Sequence, residues 1–265
     1  MVLSIIVLVG ILVVAVLFGL QPLVKLTKPT STAKEAEPFA AGEAVSFFTA
    51  KETNDYLVKD EDKYVTRLTA QDLSARGVST TTEYLQVVAT TGLTFSDKEK
   101  TTLRNAATKA DEMLSQFYGL GVVGSKTQNI HWCFAKVGDA YENGLPHTRS
   151  NVIFVPVKVI SYSHKELIST LIHEKVHLYQ RLYPEDIQAY LEFAGYIQWK
   201  ERQFYPLARS NPDIDPFVYI HPSTKQPMVA LYASDTPKSI SDVLVSSDYK
   251  NEHPYEEIAY AIATI

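Results

Sequence analysis

Cysteine is all but missing from this chain. Cys133 is the only one among 265 residues, so no intramolecular disulfide and no C-x-x-C pair exists. Its setting, NIHWCFAKV, makes the thiol a small buried apolar side chain. N-x-Ser/Thr sequons are absent as well, and together the two absences weigh against an oxidising compartment. There is no basic block and no Lys/Arg stripe, and the formal net charge is −5 with 21% charged residues, so a nucleic-acid partner is excluded. Aromatic residues, by contrast, are plentiful at 11%, with 16 tyrosines, which argues for a folded domain and against global disorder.

Charge is missing altogether from VLSIIVLVGILVVAVLFGL, residues 2–20. About 19–20 helical residues cross the hydrocarbon layer of a bilayer. The stretch has no basic n-region and no small-x-small site close behind it, so it is expected to stay as a transmembrane anchor and not to be cleaved as a signal peptide. Lys25, Lys28 and Lys34 follow the span, and only the first methionine precedes it. The positive-inside rule then expects a single-pass membrane protein with its C-terminal domain on the cytoplasmic side, which in an enveloped virus is the particle interior. The expected organisation is an anchor over 1–24, a linker over 25–43 rich in Pro, Thr, Ala and charge, and one domain over 44–265, with 44–125 as a candidate N-terminal subdomain.

Hydrophobic periodicity supplies the elements. Ser96 and Glu99 form a capping box opening a helix whose apolar residues Leu103, Ala106, Ala107, Ala110, Met113 and Leu114 recur at helical spacing. NIHWCFAKVG reads as a strand, ENGLPHTR as a turn, and SNVIFVPVKVI as a second, edge-like strand. Ser163 and Glu166 cap another helix, with Leu167, Ile168, Leu171, Ile172 and Val176 on its buried stripe. Pro184 opens a helix over PEDIQAYLEFAGYIQWKERQ, and Pro254 opens a last one over PYEEIAYAIATI. One or two short strands fall within 211–234. The order predicts an α+β domain.

Within the second capped helix stands His173-Glu174-Lys175-Val176-His177, an H-E-x-x-H pattern. Residues four apart on a helix lie one above the other, so both imidazoles reach one metal ion. The glutamate between them is rotated off that line and reaches a water on the metal without ligating it. Zinc lowers the pKa of such a water towards about 7, and the glutamate takes its proton. Two histidines and a glutamate amid Leu, Ile and Val are costly unless those polar groups have partners.

TLIHEKVHLYQRLYP resembles the active-site helix of the zincin metallopeptidases, and a strand before that helix resembles their layout, in which an edge strand pairs with extended substrate. Gln180 and Tyr183 stand where the metzincin pattern needs glycine and its third histidine, and the inverted motif is absent. The gluzincin type is left, with a third ligand in a later E-x-x-A helix. Glu256-Glu257-Ile258-Ala259-Tyr260 fits that pattern, and the resemblance carries the third-ligand role onto Glu256. The stripe Ile258, Ala259, Ile262 puts Glu256 nearer the buried face than Glu257, its rival. His253, Tyr255, Tyr260, Tyr219 and His221 are candidates for an oxyanion donor. Asn211-Pro212-Asp213 is a turn, plain or facing the cleft. His131, His147 and His164 have no ligand spacing.

The resemblance thus implies a membrane-anchored zinc metallopeptidase with a zincin-like fold. One Zn2+ is held by His173, His177 and Glu256, Glu174 is the general base, and a peptide or protein substrate lies along the 151–156 strand. The competing expectation is a metal-stabilised structural or binding module, at a membrane or in a virion, without turnover. Attack on a substrate other than a peptide is the third.

Overall fold

A computed structural model describes residues 44–244 and 252–265. The anchor and linker expected over 1–43 lie outside the described residues. Among the described helices, none is long and apolar enough to cross a membrane.

The strands are β1 (Val45–Phe47), β2 (Gly92–Leu93), β3 (Tyr118–Gly119), β4 (Val122–Val123), β5 (Trp132–Val137), β6 (His147–Arg149), β7 (Val152–Pro156), β8 (Ile197–Glu201), β9 (Phe217–Ile220) and β10 (Pro227–Met228). The helices are α1 (Ala50–Lys59), α2 (Ala70–Ala75), α3 (Thr81–Val88), α4 (Asp97–Ser115), α5 (Gly124–Thr127), α6 (Val157–Ile160), α7 (His164–Leu182), α8 (Pro184–Ala194) and α9 (Pro254–Ile262). The fold is mixed α and β, as the sequence predicts.

The main sheet runs β1-β5-β7-β6, with β2 added beside β5. β1, β5 and β7 are parallel, and β6 returns antiparallel as the edge. Strand period two divides the side chains between two cores. Trp132, Phe134, Ile153 and Val155 face one layer of helices; Cys133, Ala135, Val137, Val152 and Phe154 face the other. Cys133 is the buried apolar residue its setting predicts, and burial pushes its thiol up to about 11.

α4, α7 and α9 cover the first face. Both predicted capping boxes form. Ser96 N–H donates to Glu99 at 2.7 Å and Ser163 N–H to Glu166 at 3.0 Å, with the serine hydroxyls accepting in return. On α4, Leu103, Ala106, Ala107, Ala110 and Leu114 are fully buried, and on α7 so are Leu167, Leu171, Ile172 and Val176. Each such leucine contributes about 1.5–3 kcal/mol by leaving water. α1, α2 and α3 supply the second core through Leu57, Leu73, Tyr84 and Val88. Residues 44–125 therefore share the main sheet through β1 and the main core through α4.

Four expectations are corrected. The strand of residues 151–156 is not an edge: β7 pairs with β5 on one side and β6 on the other. It ends at Pro156, after which 157–160 turn into α6. The edge is β6, which lies in the stretch read as a turn. The helix expected over 184–203 stops at Ala194, because Gly195 adopts the left-handed conformation (φ 84°) and its N–H caps Glu192. The β-branched and aromatic residues that follow form β8, in a second sheet ordered β10-β9-β8.

One buried acid on α2 gathers three groups of residues 202–232. Asp72 on α2 accepts from Ser210 N–H (2.8 Å), Tyr232 hydroxyl (3.1 Å) and Arg202 (3.3 Å). Arginines at 202 and 76 keep its carboxyl ionised against the cost of burial.

Candidate metal centre

Helix α7 places His173 and His177 one turn apart, with their Nε2 atoms 3.0 Å from each other. α9 crosses α7 because Ile258, Ala259 and Ile262 bury into the same cluster as Leu171 and Ile172. That docking brings in Glu256, whose Oε2 is 3.3 Å from His173 Nε2 and whose Oε1 is 3.7 Å from His177 Nε2. Glu257 turns away and accepts the Tyr196 hydroxyl at 2.9 Å. Of the two rival acids, only Glu256 joins the histidines.

These donors fit a zinc ion. Zinc binds nitrogen and carboxylate oxygen at about 2.0–2.2 Å, and tetrahedral ligands at that radius stand about 3.3 Å apart. The observed separations of 3.0, 3.3 and 3.7 Å bracket that value. The tautomer of His177 fits as well. Gln180 Nε2 donates to the Tyr255 carbonyl (2.9 Å), which leaves Gln180 Oε1 as an acceptor facing His177 Nδ1 at 2.8 Å. His177 therefore carries its proton on Nδ1 and turns the Nε2 lone pair towards His173 and Glu256. Burial pushes the His177 imidazole down to about 3, against the pull of Glu256, so the ring is neutral.

Glu256 is held by a polar chain. Asn211 Nδ2 donates to Glu256 Oε1 (2.7 Å) and to Glu252 Oε1 (2.8 Å), and Glu252 is gripped by Arg209 at 2.6 and 2.7 Å. Burial works against ionisation of Glu256, but the His177 and His173 rings and the Asn211 amide outweigh it and hold its carboxyl below the usual range.

Glu174 is buried beside this trio, and its Oε2 accepts the Thr148 hydroxyl at 2.7 Å. Burial pushes its carboxyl up to about 8; the Thr148 hydrogen bond opposes the rise and the Glu256 charge adds to it. A cation between His173, His177 and Glu256 would pull that value back down. Asp213 accepts Thr148 N–H through Oδ1 at 2.5 Å. Its carboxyl is held well above the usual range by burial and then by Glu174 and Glu256. Arg181 donates to the carbonyls of His177, Thr148 and Pro212 at 3.1, 2.9 and 2.7 Å.

Of these groups, His173, Glu174, Asn211, Asp213 and Glu256 line a cavity of about 330 Å³, together with Tyr260. Of the five candidate oxyanion donors, only Tyr260 lines it, with its ring edge-on to His173 at 4.5 Å. Burial raises the Tyr260 phenol, so it keeps its proton. Tyr219 and His253 are both tied to Asp215, at 2.7 and 3.0 Å, and Tyr255 packs on His253. His221 accepts from the Ser223 and Thr224 N–H groups at 3.2 Å. His131 bonds Ser46 at 2.8 Å, His164 is exposed at the start of α7, and His147 is buried against Phe154. None of these three joins the trio.

Thr148, Gln180 and Arg181 carry no role in the sequence reading, and Asp213 enters it only within the turn 211–213, which the structure places on the cavity wall. Gln180 and Arg181 follow His177 by three and four residues, so helical spacing alone points to them. Thr148 and Asp213 come from segments that read as turns, and nothing local marks their convergence. Comparison of the chain with protein-family models, with curated proteins and with solved structures returns no match.

Proposed function

We propose that this protein is a zinc-dependent hydrolase of peptide bonds, with a zincin-like fold of gluzincin type. The observation that carries the reading is the meeting of His173, His177 and Glu256 at ligand spacing with Glu174 beside them. A bound zinc supplies the Lewis acidity that activates water and polarises a carbonyl. The remaining work belongs to the side chains. His177 is kept in the ligating tautomer by Gln180, and Glu256 is aimed by Asn211. Thr148 occupies Glu174 Oε2, which leaves Oε1 to take the proton from the attacking water and return it to the leaving amine. Tyr260, protonated and on the cavity wall, is the donor for the developing oxyanion. Tethering to a membrane through residues 2–20, with the domain on the cytoplasmic or virion-interior side, belongs to the same proposal.

The test is zinc content and turnover, measured together on the full chain. Glu174→Gln should keep near-stoichiometric zinc and lose hydrolysis, whereas His173→Ala should lose both. A folded wild type that takes up no zinc sinks the proposal. A wild type and Glu174→Gln that bind zinc alike and behave alike in every assay favour a metal-stabilised module without turnover.

A further inference from the structure

An edge strand binds extended substrate through main-chain groups that point away from the sheet. β6 is the edge strand beside Glu174, and it offers very few of them. Thr148 is its outward-facing residue, since both its N–H and its C=O bond to partners outside the sheet. Asp213 takes the N–H at 2.5 Å and Arg181 the C=O at 2.9 Å. On one side stands Pro146, which has no N–H to give. On the other, the strand ends at Arg149 and Ser150 turns away at φ 49°. The Arg149 carbonyl already accepts the Tyr56 hydroxyl at 2.9 Å. β7, the next strand in, is paired on both sides.

The cap is built in. Asp213 N–H donates to Asn211 Oδ1 at 2.9 Å, closing an Asx turn, and Arg181 holds the Pro212 carbonyl at 2.7 Å. Thr148 and Asp213 are both buried. The same three-residue loop reaches Glu256 on α9 through Asn211 at 2.7 Å. Residues 211–213 therefore span from the strand edge to the third metal-facing side chain, as a bar beside the reacting position. A polypeptide running through would lie over this bar with its buried amides unpaired, which is unfavourable for each one. A chain that ends there avoids the cost.

We propose that the site takes a short peptide by its free end, and not the interior of an extended polypeptide. This rests on the hydrolytic reading above. Asp213 and Arg181 are then specificity-determining residues.

The experiment compares one short peptide in four forms on the zinc-loaded full chain: both ends free, N-acetylated, C-amidated, and blocked at both ends. The expected result is cleavage of the free peptide near one terminus, with loss of at least about 100-fold in kcat/KM on blocking that terminus. The doubly blocked form should be inert. Internal cleavage of the doubly blocked peptide at a comparable rate overturns the proposal and leaves the hydrolytic reading standing. Hydrolysis of none of the four by a zinc-loaded protein overturns both. A binding readout stands beside it, in the Glu174→Gln background with a fluorescent doubly blocked peptide. Asp213→Ala, which uncaps Thr148, should bind it about 10-fold more tightly than Asp213→Asn, which keeps an acceptor oxygen. Equal, tight binding by both variants and by their parent overturns the proposal.

Discussion

The hydroxyl of Thr148 donates to Glu174 across 2.7 Å, joining the edge strand of the sheet to the helix that carries both histidines. The pair fixes one oxygen of a buried carboxyl. Thr148→Val should therefore lower kcat by about 10–100-fold, the equivalent of a lost hydrogen bond to a charged group. KM and zinc content should hold. Thr148→Ser, which restores the hydroxyl, should recover most of the rate. Steady-state kinetics on zinc-matched samples decides it.

Gln180 sets the His177 tautomer, so its loss should be felt at the metal. Gln180→Leu should weaken zinc binding by about 10–100-fold in a chelator competition titration. An unchanged affinity would show that the 2.8 Å contact does not govern the ring.

Glu256 and Glu257 are adjacent, but only Glu256 stands beside the two histidines. Zinc uptake should collapse in Glu256→Ala and persist in Glu257→Ala. The latter gives up the hydrogen bond from Tyr196, at about 0.5–1.5 kcal/mol of stability, and a 3.9 Å contact with His221. Elemental analysis of the two variants side by side tells them apart.

Removing metal should also loosen the fold, because the trio joins α7 to α9. A ligand at about 1,000 times its Kd stabilises by about 4 kcal/mol. Chelation should lower Tm by several degrees and added zinc should restore it. A Tm that ignores both treatments contradicts a bound ion.

Glu142 gives a pH prediction away from the metal. It is buried and accepts from Arg76, from Tyr84 at 2.6 Å and from Tyr64 at 3.3 Å. Burial opposes its ionisation, but Arg76 outweighs it and holds the carboxyl at about 2, below an ordinary value of 4.5. A depressed carboxyl stabilises the fold above its unfolded value and loses that contribution as pH falls through the folded one. Roughly 3 kcal/mol should therefore disappear between pH 4.5 and 2. Denaturant midpoints in that window should fall less steeply for Glu142→Gln than for the wild type.

The sequence carried the helices well where caps and stripes coincide. The boxes at Ser96 and Ser163 and the prolines at 184 and 254 mark starts that the structure keeps. Helical periodicity puts His173 and His177 on one face and favours Glu256 over Glu257, whereas the third-ligand role of Glu256 comes from the resemblance to the gluzincins. The strands were less so. Val152–Pro156 is apolar throughout, being covered on both faces, and a continuous apolar run does not tell a central strand from an edge. β6 reads His-Thr-Arg and has no apolar pattern at all. It is a strand because its neighbours make it one, through pairing with β7 and the Asp213 cap. Long-range partners of that kind leave no local trace.

The described chain enters the domain through β1, and the Ala44 carbonyl accepts Trp132 N–H at 3.0 Å. β1 and β6 stand at opposite ends of the β1-β5-β7-β6 path. Any tension arriving along the polypeptide from the N-terminal side is therefore delivered first to hydrogen bonds between β1 and β5. That load enters the sheet at the opposite end of the path from β6, the strand whose Thr148 holds Glu174.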